Sequence, residues 1–276
     1  MQKKELYFAT RSVNSIEING SFYALQTPER YASWYEDTPD NFIFCVKAPR
    51  YITHIKRLND VEEPIANFFA SGIFELKAKL GAILWQFPPS FKFDEEQFTQ
   101  FLRLLPQTVS DAQQATRKYH PDFSVPDQVK QNKKVRHAVE IRNESFAQER
   151  FISLLREYNV AFVIADTAGR WPHAEDITSD FVYMRLHGDA ELYRSGYSKA
   201  AIQHWFSRIK SWSKGVQPRD AKLIAKRSKL SNSLEVFCYF DNTDKLWAPQ
   251  DARQLSVLLG IDKDFQDADD LLKNIA

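Results

Sequence analysis

Long apolar runs are missing from this chain of 276 residues. None approaches the roughly 18 apolar residues of a membrane span, and no apolar signal stretch follows Met1-Gln2-Lys3-Lys4-Glu5. Cysteine is scarce too. Cys45 and Cys238 both lie inside apolar strand-like runs, where a buried thiol behaves as a small hydrophobe, so no disulfide framework is expected. These features together predict a cytoplasmic protein without a membrane partner. An excess of charge is also absent, with 37 Lys plus Arg against 36 Asp plus Glu. No global field draws the protein to nucleic acid or anionic lipid, so any anion site must be local. Of six histidines, no two stand at the His-x-x-x-His spacing of a zinc helix. No internal repeat occurs beyond the strand–helix rhythm described next.

Aromatic residues are plentiful, with 21 Phe, 11 Tyr and 6 Trp. Each buries roughly 150–250 Å², enough together for a large core. Seven short apolar runs each end in a polar group: Ser15-Ile16-Glu17-Ile18-Asn19, Phe44-Cys45-Val46-Lys47, Ile83-Leu84-Trp85-Gln86, Val139-Glu140-Ile141-Arg142, Val163-Ile164-Ala165-Asp166, Met184-Arg185-Leu186-His187 and Tyr239-Phe240-Asp241-Asn242. Helical stripes separate them. Thr27-Pro28 opens one, Asp94 precedes Phe98, Phe101, Leu102 and Leu105, and Phe151, Leu154, Leu155 and Tyr158 form another. The clearest runs from Ser198 through Trp205 and Trp212 to Gly215. A last one spans Pro249 to Gly260, with Ala252, Leu255, Leu258 and Leu259 predicted inward. Strand and helix in alternation, with strands apolar on both faces, predict an α/β fold of TIM-like (β/α) barrel type in a single domain over 1–276. Polar excursions fall near 117–136 and 214–232, and an acidic tail follows 262. Both excursions read as solvated linkers.

In such a barrel the C-terminal strand ends converge on one rim, and residues two apart share a face. Glu17 with Asn19, Glu140 with Arg142, Arg185 with His187, and Tyr239 with Asp241 are therefore predicted to point the same way. Four carboxylates, Glu17, Glu140, Asp166 and Asp241, would meet Lys47, Arg142, Arg185 and an adjustable His187. Burying charge without a partner costs several kcal/mol, so these groups either satisfy one another or serve a ligand. The four carboxylates could hold a hard divalent ion, but three cations in the same cavity oppose it, so no metal or other cofactor is expected. Lys47 and Arg50 lie within Lys47-Ala48-Pro49-Arg50-Tyr51-Ile52-Thr53-His54, a loop suited to phosphate or carboxylate. Lys47 has three open readings: an anion ligand, a salt bridge to Glu17 or Glu140, or a Schiff-base nucleophile.

Those strings, in that order and with Gly20-Ser21-Phe22-Tyr23 and Phe87-Pro88-Pro89 beside them, resemble the YecE-like family, domain of unknown function 72, over residues 5 to 260. The resemblance implies a bacterial TIM-like barrel without a settled activity. Family members usually begin with a further strand of Gly-Thr-Ser-Gly-Trp type, which this chain does not match, so a barrel lacking the first strand of the usual eight is expected. Two open sheet edges would favour a homo-oligomer.

The favoured function is an enzyme of hydrolase, lyase or isomerase type, acting on a small phosphorylated or carboxylated molecule by general acid–base chemistry. Glu140, Asp166, His187 and Asp241 would be catalytic. Glu17, Asn19, Tyr23, Lys47, Arg50, Gln86, Arg142, Arg185, Tyr239 and Asn242 would bind substrate. One alternative is nucleic-acid phosphodiester hydrolysis or binding, with the basic stretch after Lys214 on the phosphate backbone, though it lacks interleaved aromatics to stack bases. The other is a ligand-binding scaffold without catalysis.

Overall fold

The computed structural model describes residues 3–230, 232–241 and 247–261. All seven predicted strands form: β1 (Ser15–Ile18), β2 (Ile43–Lys47), β3 (Leu80–Gln86), β4 (Arg136–Glu140), β5 (Ala161–Asp166), β6 (Phe181–Leu186) and β7 (Glu235–Phe240). They pair in chain order, every pair parallel, as a nearly closed TIM-like barrel. Among the described residues no ladder joins β7 to β1. A largely apolar cavity of about 580 Å³ lies there, lined by Val13, Ile16, Val236, Cys238, Leu255 and Leu259 among others.

The helices are α1 (Lys3–Ser12), α2 (Gly20–Tyr23), α3 (Pro28–Glu36), α4 (Glu62–Ala70), α5 (Glu95–Leu104), α6 (Val109–Arg117), α7 (Glu149–Glu157), α8 (Lys199–Trp212) and α9 (Trp247–Leu259). The capping residues read from sequence act as such. Thr27, Asp94 and Ser198 accept from the backbone N–H of Arg30, Gln97 and Ala201, satisfying donors that the first turn leaves free. The helices α1, α2, α4 and α6 were not read from the sequence. In α9 Leu255 is buried, but Leu258, predicted inward, is 44% exposed. A 13-residue helix packed along one stripe leaves the flank of that stripe in solvent.

Strand alternation builds two layers. Cys45, Leu84, Ala138, Val163, Tyr183 and Tyr239 fill the barrel interior. Phe44, Val46, Ile83, Trp85 and Val139 face the helices, where Phe98, Phe101, Phe146 and Phe151 join one aromatic core. On the far side Ile164, Met184 and Leu186 pack on Trp205, Ile209 and Trp212 of α8. Arg136 lies over the Phe181 and Phe237 rings, 5.5 and 5.0 Å from their centroids, and pairs with Glu235, closing the N-terminal end. No helix among the described residues is long and apolar enough to cross a membrane.

The segment 214–230 is more tied down than a solvated linker. Buried Asp176 accepts from the Ile224 and Ala225 N–H groups, Glu175 N–H donates to the Lys222 carbonyl, and Arg227 donates to the carbonyls of Gln217, Pro218 and Arg219. Carboxylate and guanidinium thus take the place of a regular ladder in satisfying the strap's backbone. The acidic tail after 262 lies outside the described residues.

Two truncations test this core. Phe98→Ala, at a fully buried ring in contact with five other phenylalanines, is expected to lose about 3–5 kcal/mol. Leu258→Ala is expected to stay within about 0.5 kcal/mol of the wild type. Urea denaturation of both reads the difference; a large loss at Leu258 would contradict the orientation of α9.

Candidate functional site

The interior face of β6 carries Phe181, Tyr183 and Arg185 in turn, and His187 follows the strand on the same side. Arg185 is 0% exposed and makes four hydrogen bonds of the five its guanidinium offers. Nε and Nη2 donate to the two oxygens of Glu17 at 3.0 and 2.9 Å, Nη2 also donates to Asp241 Oδ2 at 2.7 Å, and Nη1 donates to Glu140 Oε2 at 2.6 Å. Carboxylates from β1, β4 and the end of β7 thus close on one cation. The second Glu140 oxygen accepts from Gln86 Nε2 at 2.9 Å and from Arg142 Nε at 2.8 Å, and Tyr183 donates its hydroxyl to Glu17.

Burial alone would raise the Glu140 carboxyl, but Arg185, Arg142, His187 and Lys47 outweigh it and hold it well below the usual range. Asp241 follows the same pattern: burial opposes ionisation, and Arg185 and then His187 bring the carboxyl below its ordinary value. Glu140 is therefore a fixed carboxylate with both oxygens hydrogen-bonded, a poor proton acceptor at rest.

Three groups at the mouth are less committed. Both nitrogens of His187, a fully buried ring, complete no hydrogen bond: Nδ1 is 3.3 Å from Asp241 and Nε2 is 3.9 Å from Glu140. Arg142 lies 3.9 Å over the Trp171 ring and donates Nη2 to the Tyr193 hydroxyl at 3.1 Å. Trp171 and Tyr193 stand edge-on to the His187 ring, at 6.4 and 5.2 Å, and roof it. Lys47 places its ammonium 4.2 Å from the Phe22 ring centroid. Among the described residues no three His, Cys, Asp or Glu side chains gather as ligands of a metal ion.

Glu17, Lys47, Gln86, Glu140, Arg142, Arg185, His187 and Asp241 thus converge, as their strand positions predict. Asp166 does not. It follows Phe162 and Ile164 on the outward face, where it accepts from the Tyr197 hydroxyl beneath α8, and burial raises its carboxyl. It therefore stands apart from the groups that converge at the mouth. Asn19 leaves the alternation because the helix α2 begins at the next residue, and its side chain is exposed. Tyr23, the last residue of α2, and Arg50, beyond the end of β2, are exposed. Tyr239 lies in the barrel interior with Cys45 and Tyr183, and Asn242 falls outside the described residues. Tyr183, Trp171 and Tyr193 were not read from sequence. Tyr183 follows from the two-residue period of β6, whereas the two loop rings carry no periodic signal.

Arg185→Met strands three carboxylates and is expected to lose about 3–5 kcal/mol at pH 7. A carboxyl whose folded pKa is depressed contributes stability that is full above its unfolded pKa, about 4, and lost as pH falls through the folded value. Glu140 and Asp241 behave so in the wild type. Without Arg185 their carboxyls titrate higher, so the gap between wild type and variant should narrow as pH falls from 7 towards about 4. Urea titrations across that range measure it, and a gap independent of pH would contradict the network.

The family profile described as "Protein of unknown function DUF72" matches residues 1–273. The chain is 33% identical over 81 residues to the UPF0759 protein YecE of Escherichia coli K12, an alignment covering 29% of each chain. It is 35% identical over 86 residues to the UPF0759 protein YunF of Bacillus subtilis 168, covering 29% of this chain and 30% of that one. The chain thus aligns with under a third of these relatives' length. Crystal structures of DUF72 family proteins share the fold. One from Thermotoga maritima superposes with a TM-score of 0.66 at 24% identity, covering 93% of this chain and 88% of the other. One from Enterococcus faecalis gives 0.64 at 21%, covering 94% of each. The profile match over residues 1–273 makes this chain a member of the DUF72 family.

Proposed function

We propose that the barrel mouth binds a small anionic molecule, phosphorylated or carboxylated, and performs proton transfer on it. The observation that carries this reading is His187, an enclosed imidazole with both nitrogens free of hydrogen bonds between two carboxylates. Buried ring nitrogens that complete no hydrogen bond are rare in structural roles, and an imidazole so placed can take up or release a proton. Asp241, 3.3 Å from Nδ1, is the carboxylate placed to orient the ring. Arg142 and Lys47 supply positive charge to the anion. Arg185 is excluded from that clamp because its donors are already engaged. Glu140 is better cast as a rigid electrostatic wall than as the base. Trp171 and Tyr193 keep water from the ring, which strengthens each charge within.

A thermal-shift panel of sugar phosphates and organic acids tests the reading. A ligand at about 100 times its Kd should stabilise the protein by roughly 2.7 kcal/mol. Arg142→Met should abolish the shift and Asp166→Asn should keep it. With the bound compound as substrate, His187→Asn should slow turnover by about 100-fold or more while binding persists. No stabilisation by any anion, or equal loss in Asp166→Asn, would overturn the proposal.

A further inference from the structure

The buried and half-buried lysines Lys47, Lys79 and Lys133 divide into two kinds. Lys79 donates its ammonium to the Tyr35 and Thr38 carbonyls, and Lys133 donates to the carbonyls of Lys77 and Leu80. Each has a structural task that its hydrogen bonds explain. Lys47 is only 8% exposed, yet among the described residues its ammonium joins no ion pair and donates to no acceptor. Its backbone is fixed, with the carbonyl accepting from Ser21 Oγ at 2.6 Å, and its side chain projects from the end of β2 into the mouth over Phe22. The carboxylates that would ordinarily hold such a cation are already engaged, Glu17 and Asp241 by Arg185, and Glu140 by Arg185 and Arg142.

We propose that Lys47 is a nucleophile that forms an imine with an aldehyde or ketone bearing a phosphate or carboxylate. The inference rests on the anion site proposed above and names its substrate class. Burial, then the Arg185 charge, brings the amine down to about 8, against the partial support of Glu140, Glu17 and Asp241. A larger fraction is thus neutral near pH 7 than for a surface lysine. The amine nitrogen bonds to the carbonyl carbon while the carbonyl π pair moves to oxygen, which is protonated. The oxygen then leaves as water with the two amine protons as the nitrogen lone pair closes the C=N bond. One proton from the medium makes the iminium. That cation occupies the place of the ammonium, where Glu140, Glu17 and Asp241 balance it, and Arg142 is available for the anionic end.

The test is reductive trapping of the whole protein with cyanoborohydride and glyoxylate, with propanal as the uncharged control, followed by peptide mass mapping. At pH 7 Lys47 should be modified roughly tenfold or more faster than the median lysine. Its rate should level off above a pH of about 8, where other lysines still accelerate. Glyoxylate should be preferred over propanal at Lys47 alone, and Lys47→Arg should remove the fast site while retaining a cooperative melt. Modification of wild-type Lys47 no faster than the median overturns the proposal whether or not the variant folds. If glyoxylate raises the melting temperature without trapping at Lys47, the imine fails and the anion site stands. Fast trapping by both aldehydes equally would overturn the anionic part of the substrate assignment.

Discussion

The protein depends on one buried cation. Arg185 projects from β6 to Glu17 on β1, Glu140 at the end of β4 and Asp241 just beyond β7, partners that lie far apart in the chain. Desolvating a guanidinium and three carboxylates costs several kcal/mol per ion, and is sustained only when the geometry satisfies nearly every donor. The arrangement has an architectural consequence. Since β1 and β7 share no ladder among the described residues, Arg185 joins them through side chains, one carboxylate from each wall meeting the same Nη2. A barrel open by backbone hydrogen bonding is closed at its mouth by charge.

That closure sorts the rim into fixed and available groups. Glu17, Glu140 and Arg185 form a rigid floor, with Tyr183, Gln86 and Arg142 completing the carboxylates' hydrogen bonds. His187 and the outer side of Arg142 stand above it under Trp171 and Tyr193, and Lys47 lies beside them against Phe22. Fixed dipoles and charges need no reorganisation when a reacting group changes its charge, which is the property that lets a buried site act on a small molecule. The floor also sets the character of the available groups, since the carboxylates used by Arg185 are unavailable to pair with Lys47.

Much of this was legible in the residues. Seven apolar runs with polar ends became seven parallel strands, and the two-residue period paired Glu140 with Arg142 and Arg185 with His187. The period failed where another rule took over. Asn19 is followed directly by a helix, so its side chain leaves the face of Glu17. Asp166 ends a strand that is apolar on both faces, and such a strand does not announce which of its two phases faces inward. Ala165 took the interior and Asp166 the helix side. The roof of Trp171 and Tyr193 comes from loops, whose contacts are set by tertiary packing. Equally invisible was the stoichiometry of the ion network: a balance of charges was readable, but not that one arginine would engage three carboxylates.

A double-mutant cycle between Glu17→Gln and Arg185→Met, read by urea denaturation at neutral pH, tests this account most directly. A shared, buried pair of hydrogen bonds between β1 and β6 requires the two substitutions to be strongly non-additive, with a coupling of about 2–3 kcal/mol. Additive losses would mean that the two side chains do not meet, and the barrel mouth described here would not exist.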